Sequence, residues 1–516
     1  MELNWMGGST AEHPMADAKQ ARELVEGLPA GDSVAALQQI TEWIASLNES
    51  DGFKVNRRFD LVDLLDGAAK NHHRKLCQDY LTTPRQQKYQ ENRLWNGVFR
   101  YWKQVGEAYV VCIREHESGF NAITAIRRSL PVMVARALRA LTAQLKWALL
   151  RYGPVEPRIW SEIARLYRFA EQRGMAEGAI AIYAGEQGTS TLQREFLKAV
   201  MLGASSTDGL LPLRQEIAER AVTHFAGAFR LSAQPEGCTH CFDLARAAPP
   251  VRLFRGVKPP ETLRFFAAGD GLAELRRLAA KISETGGIPA DVNLGGSYDK
   301  ELVAGVFKYL AQTWSDRPSA RGAVRRQTAG RITVVPGLGE ILGTLEPPPQ
   351  DDLDFSFQPS AESWIVENVS DGGYGAIIPA RKSDWLRVGT LVAVKGETAD
   401  YWAIGLVRRI SSDEHQQRHV GIQLLTKAAI PIRVARIAEI TSLNFSDREP
   451  QLSAILLTTD PDERGEIGVV LASGALNGCD GLEMTVREKN YILMTTCIVE
   501  GGEDFQWAKF KVMQMK

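Results

Sequence analysis

The chain lacks the signatures of most nucleotide-handling enzymes. There is no GxxxxGK(S/T) phosphate loop, no GxSxG elbow, no HExxH and no pair of carboxylates spaced for acid–base work. The glycine pair in Thr285-Gly286-Gly287-Ile288-Pro289 reads as a helix stop. With no catalytic constellation, the expectation is a protein that is not an enzyme. Cysteine is scarce: 6 among 516 residues cannot make a disulfide framework. Cys238-Thr239-His240-Cys241 has the spacing of half a zinc site. It lacks a second ligand pair and reads as a loop with two small buried thiols. The adjacent His72 and His73 read as helix surface, where neighbours do not face one way. Long apolar runs are missing, so no membrane span is expected. Met1 to Thr10 has neither the basic nor the apolar block of a signal peptide, and the expected compartment is the cytoplasm. Charge of one sign is missing too. At a net charge of −1 there is no global field to draw in a nucleic acid polymer or an anionic membrane, so any anion site must be a local cluster.

A chain this long needs two to four domains. Residues 1–31 read as a loosely ordered N-terminus, with Gly7-Gly8, Pro14 and Leu28-Pro29-Ala30-Gly31. Residues 32–230 carry apolar residues at helical spacing, starting from a cap at Asp32 or Ser33. The stripes run through Val34 to Leu47, from Asp60 through Leu65, Leu94 to Tyr109, Met133 to Leu149, Ile159 to Tyr167 and Leu192 to Met201. Together they predict a layer of antiparallel helices without a fixed repeat period. Such assemblies bind proteins more often than they do chemistry, so a protein partner is expected on this region. Residues 231–320 read as a mixed α/β connecting segment, with a short strand at Val251 to Phe254 and helices through Leu272 to Ile282 and Leu302 to Trp314.

Beyond the linker Ser315 to Gly322 the period changes to two and β-branched residues dominate. Residues 321–435 predict a small antiparallel β-barrel, with an exposed insertion at Pro347 to Asp352. Residues 436–516 continue the β pattern at Ala454 to Leu457, Ile467 to Leu471, Tyr491 to Met494 and Phe510 to Met513, and predict a second C-terminal β-unit packed on the first. The fold class is therefore multidomain α+β.

One stretch carries chemistry. In Asn368-Val369-Ser370-Asp371-Gly372-Gly373, Asn368 and Ser370 sit two apart on an extended segment and share a face. They offer a donor, an acceptor and a rotatable hydroxyl, and glycines let backbone approach a flat ligand. Upstream lie Arg325, Arg326 and Arg331, which can stack on a purine and grip phosphate or a guanine edge. This order of parts resembles the PilZ domain, a small β-barrel that binds cyclic di-GMP in bacteria. The strand Arg418 to Leu425, with Val420-Gly421-Ile422 inside it, resembles the family's closing strand. The rest has the look of large PilZ-bearing proteins.

The resemblance implies a site with two halves. Arg326 and Arg331 match the family's paired arginines best, and would hold a guanine edge and a phosphate. Asn368 and Ser370 would bind the other guanine, with Gly373 leaving room for the ligand. The family motif is Arg-x-x-x-Arg, whereas Arg326 and Arg331 enclose Gln327-Thr328-Ala329-Gly330. The strict spacing occurs at Arg321 and Arg325 and at Arg317 and Arg321. A bulge at Gly330 would absorb the extra residue. The implied function is a cyclic di-GMP receptor that passes binding on to the helical region. The alternative is a barrel that has lost its ligand and serves as a protein-interaction scaffold.

Overall fold

The computed structural model describes residues 13–84, 87–118, 128–185, 188–253, 260–316, 325–346, 360–378, 385–437, 451–477, 479, 481–486 and 489–514. The chain divides into two compact units. One holds residues 1–207 and 212–319, the other residues 208–211 and 320–516.

The first unit opens with helices α1 (Ala18–Glu26), α2 (Ser33–Glu49), α3 (Val55–Thr82) and α4 (Lys88–Ser118). It continues with α5 (Leu130–Leu149), α6 (Pro157–Gln172), α7 (Leu192–Gly203) and α8 (Pro212–Phe225). The cap of α2 is Asp32, whose carboxylate accepts from the backbone N–H groups of Val34 and Ala35. Asp17 caps α1 in the same way. That helix lies in a stretch expected to be loosely ordered, and it buries Ala21. The predicted stripes are core: Leu37, Ile40, Val98, Tyr109, Leu138, Ile163 and Val200 are all buried. Helices α4 and α5 meet closely at Gly106, where an added Cβ would lie 2.8 Å from Gln144 Nε2 and 3.2 Å from Ala140 Cβ.

Buried charges tie these helices together. Arg58, only 2% exposed, pairs with Glu115 of α4 at 2.9 Å and donates to the carbonyls of Leu47 and Ser50 at the end of α2. Asp66 accepts from the hydroxyls of Tyr101 (2.6 Å), Tyr109 (2.7 Å) and Tyr183 (2.9 Å). Fully buried polar groups survive only when satisfied in this way.

The connecting segment is a four-stranded antiparallel sheet followed by two helices. Strands β1 (Arg230–Ser232), β2 (His240–Asp243), β3 (Val251–Arg252) and β4 (Leu263–Ala267) take the order β1-β4-β2-β3. Helices α9 (Gly271–Thr285) and α10 (Lys300–Thr313) complete the unit. α9 ends at Gly286 in the left-handed region (φ 68°), the stop that the sequence marks.

The second unit contains two closed antiparallel barrels. The first uses β5 (Arg326–Pro336), β6 (Glu362–Ser370), β7 (Gly373–Ile378), β8 (Leu391–Gly396), β9 (Ala403–Ser412) and β10 (Arg418–Thr426), with the short helix α11 (Leu338–Leu345) after β5. Its strand order is β10-β7-β6-β5-β8-β9. The second uses β11 (Ile430–Arg436), β12 (Leu452–Leu456), β13 (Glu466–Ala472), β14 (Gly481–Val486), β15 (Lys489–Gly501) and β16 (Phe505–Gln514), ordered β11-β12-β13-β16-β15-β14. β11 pairs with β12 and β14, so the second barrel starts before residue 436, the boundary expected from the sequence.

The barrels share apolar interior. Val335, Ile341, Leu391 and Leu406 of the first pack with Ile455, Val470 and Phe505 of the second in one cluster. Polar contacts flank it. Asp504 accepts from the Leu338 N–H at the start of α11 (2.6 Å), and Arg408 grips Glu500 with two bonds of 2.6 and 2.9 Å.

Candidate functional site

The site is built on three neighbouring strands of the first barrel. Along β5, Ile332 and Val334 point inward while Arg331 and Thr333 are exposed. Across from them on β6, Trp364 and Val366 point inward and Ile365 outward. Two bulges then interrupt the ladder. On β6, Glu367 is the extra residue between Val366, opposite Ala376, and Asn368, opposite Gly375. It turns Asn368 onto the outer face, because Gly375 lies opposite and the adjacent Ala376 is fully buried. The Asn368 side chain lies flat over Gly375, where an added Cβ would sit 2.5 Å from Nδ2 and 2.8 Å from Oδ1. On the next strand Gly421 pairs with Gly375. Asn368 therefore covers the buried Gly375, and Gly421 lies beside it with Arg409 Cβ 3.5 Å from where its own Cβ would stand.

The arginine strand runs beside Asn368. Arg326 pairs with Val369 and Gln327 with Asn368, while Arg331 pairs with Ile365 beyond the bulge. Between Gln327 and Gly330, β5 carries two residues where β6 has one, so the extra residue of the arginine spacing sits in a bulge. Residues opposite one another share a face. Gln327 is thus on the Asn368 side, and Arg325, two residues before it, returns to that side. Arg331 is on the outer face with the exposed Ile365. Arg326 goes with Val369 to the opposite face and reaches the Asn368 side only around the strand end. All three arginines are exposed. Among the described residues no carboxylate lies within ion-pair distance of them; Arg331 donates only to Ser363 Oγ at 3.3 Å. Arg317, Arg321 and the Pro347 to Asp352 insertion lie outside the described residues.

The structure gives Gly373 a different reason to be glycine from room for a ligand. It is buried, and an added Cβ would fall 2.0 Å from the carbonyl oxygen of Ile422 on β10. The glycine under the Asn368 carboxamide is Gly375, itself buried, which the motif reading passed over although it stands two residues later. Ser370 Oγ donates to the Gly373 carbonyl in a long 3.4 Å contact.

The barrel also holds a titratable group. His419 of β10 lies between Glu367 (3.0 Å) and Asp413 (3.2 Å). Burial works against its charged form, but hydrogen bonds to the two carboxylates and their charges outweigh this and raise its pKa above the ordinary value.

Two other sequence readings change. Cys241 stands on β2 and is buried there, so the Cys-x-x-Cys stretch runs into a strand instead of remaining a loop; among the described residues no group of His, Cys, Asp and Glu could hold a metal ion. His73 is no surface residue. Its Nε2 accepts from Trp102 Nε1 at 2.9 Å, and burial, helped by Lys146, Arg220 and Arg74, pushes its pKa down to about 3.

A closed six-stranded barrel with arginines entering beside an Asn-x-Ser-x-x-Gly strand defines a PilZ-type module. The family model for the N-terminal domain of the cyclic-di-GMP receptor FimW matches residues 19–236, and the model for that receptor's middle PilZ domain matches residues 356–431. The two matches cover more than half of the chain between them. The chain is a PilZ-domain protein with a large helical N-terminal region. No curated protein matches it significantly. Among the described residues no helix is long and apolar enough to cross a membrane.

Proposed function

We propose that this chain is a cyclic di-GMP receptor whose ligand lies on the outer face of the first barrel, against Asn368 and Ser370. The observation that carries the reading is the register of β5 on β6, with Gln327 opposite Asn368 and Arg326 opposite Val369. That pairing brings the arginine segment beside the motif strand, and its cations have no anionic partner among the described residues. Cyclic di-GMP supplies what the parts ask for: two phosphate charges, and two guanines with O6/N7 edges for arginine. Asn368 and Ser370 take one guanine. Arg331 and Arg325 take phosphate and the second guanine from the same side, and Arg326 closes over the strand end. The FimW models, named for a cyclic-di-GMP receptor, agree with this reading.

The arginine segment continues directly from the chain that joins the helical unit to the barrel. In this reading ligand binding is passed along that connection to a protein partner on the helical region. Titration calorimetry of the intact chain with cyclic di-GMP tests the ligand, and protease sensitivity around residues 317–324 tests the coupling. Each charge-assisted bond contributes about 1.5–3 kcal/mol, so Arg331→Ala should weaken binding by one to two decades. Ser370→Ala, which removes a neutral group, should cost less. Absence of heat with the intact chain would make it a ligand-free scaffold. Equal heat in wild type and both variants would place the ligand elsewhere.

A further inference from the structure

The helical unit contains a cavity of about 880 Å³ that none of the preceding function uses. One wall is a single face of α3, where Asp66, Lys70, His73, Arg74 and Cys77 follow at helical spacing. The lining is completed by Trp102 of α4, Tyr183, and the loop Gly295 to Tyr298 that leads into α10, among others. The volume is that of a small-molecule site.

We propose that this cavity is a binding site for a small phosphate-bearing compound with a flat aromatic ring. The partners of the lining groups decide which of them are open to a ligand. Asp66 is satisfied by its three tyrosine hydroxyls. Arg139 is held by Glu195 at 3.0 Å and Arg220 by Glu216 at 2.9 Å. Asp299 accepts from the N–H groups of Glu301 and Leu302 as the cap of α10. Two cations are left over. Lys70 and Arg74, one turn apart on the cavity face of α3, have no carboxylate partner among the described residues. Lys70 Nζ lies 4.1 Å from the Tyr183 ring centre, held only by that ring's face. Lys70 and Arg74 thus offer two adjacent cationic donors without a carboxylate partner among the described residues, while the oxygens of Asp66 and Asp299 are taken up by hydrogen bonds; a phosphate monoester, with close to two charges at neutral pH, suits that pair. The ring requirement comes from Trp102 and Tyr298, aromatic side chains of the lining that can take a planar group.

Fluorescence titration of the full-length chain tests this with three probes: 4-methylumbelliferyl phosphate, its neutral parent 4-methylumbelliferone, and inorganic phosphate. The phosphate ester should bind below roughly 1 mM and at least about tenfold more tightly than either fragment. Lys70→Ala and Arg74→Ala should each weaken it by about tenfold, at unchanged melting temperature, because neither side chain supports the core. Arg331→Ala, on the barrel, should leave it untouched. The proposal is overturned by no binding at that concentration, by equal affinity for ester and parent, by indifference to both α3 variants, or by loss of binding in the Arg331 variant.

Discussion

Replacing Gly375 by alanine separates the site from the fold more sharply than removing any polar group. The new methyl would sit 2.5 Å from Asn368 Nδ2. Backbone cannot move there, because Gly375 is laddered on both sides, to Asn368 and to Gly421. The Asn368 side chain must therefore swing away. It is only partly buried, and a strained rotamer costs about 0.5–1.5 kcal/mol. Alanine in place of glycine in a strand returns about 0.5–1 kcal/mol. These nearly cancel, so the barrel should melt within about 1 kcal/mol of wild type. Binding should not survive so well. Asn368 offers one donor and one acceptor, each worth about 0.5–1.5 kcal/mol net, so losing both costs about 1–3 kcal/mol, roughly 5- to 150-fold in Kd. Calorimetric titration with cyclic di-GMP beside a thermal melt reads both quantities. A variant that binds as tightly as wild type would show that the Asn368 carboxamide does not touch the ligand. A variant that fails to fold would refute the claim that this glycine serves the Asn368 side chain and not the interior.

Gly373→Ala is the counterpart. With a Cβ 2.0 Å from a backbone oxygen, it should destabilise the barrel strongly, seen as a large drop in melting temperature and loss of expression. Asp66→Ala leaves the buried hydroxyls of Tyr101 and Tyr109 without their acceptor and should cost about 3 kcal/mol or more in urea unfolding of the helical unit. Phe505→Ala, in the interior common to both barrels, should cost about 3–5 kcal/mol, and hydrogen exchange should rise in β5 and β8 as well as in the C-terminal barrel. The raised pKa of His419 predicts a contribution to stability that is fully present below pH 6.5 and lost as pH rises through the folded value above it. Thermal melts at pH 6 and pH 8, compared with those of His419→Gln, should show a slope in wild type that the variant lacks.

Elements with a clean apolar period were legible in the sequence. The stripes through Leu94 to Tyr109 and Met133 to Leu149 are helices, and strands follow from Ile332 onward, although Leu391 to Val394 of β8 and Ala403 to Val407 of β9 are buried throughout instead of alternating. What escaped was interrupted by buried polar groups or was too short for a period to show. α3 begins at Val55, before the Asp60 start expected, because the buried Arg58 does not look like core. α8 hides for the same reason, with Gln215 and Glu216 buried in its first turns. Strands β1 and β2 are only three and four residues long. At the candidate site the faces were not readable. Period-two counting cannot foresee two bulges on neighbouring strands, and these put Arg331 and Gln327, not Arg326, on the side of Asn368.

The apolar contact that includes Phe505 ties the fate of the first barrel to that of its neighbour. Neither barrel can slide on the other without opening a void in a packed interior. Whatever grasps the C-terminal barrel therefore holds the first one by its frame. An engineer who splices in a foreign PilZ module must also transplant the seat for Ile455, Val470 and Phe505, or the graft will meet water where its host expects hydrocarbon.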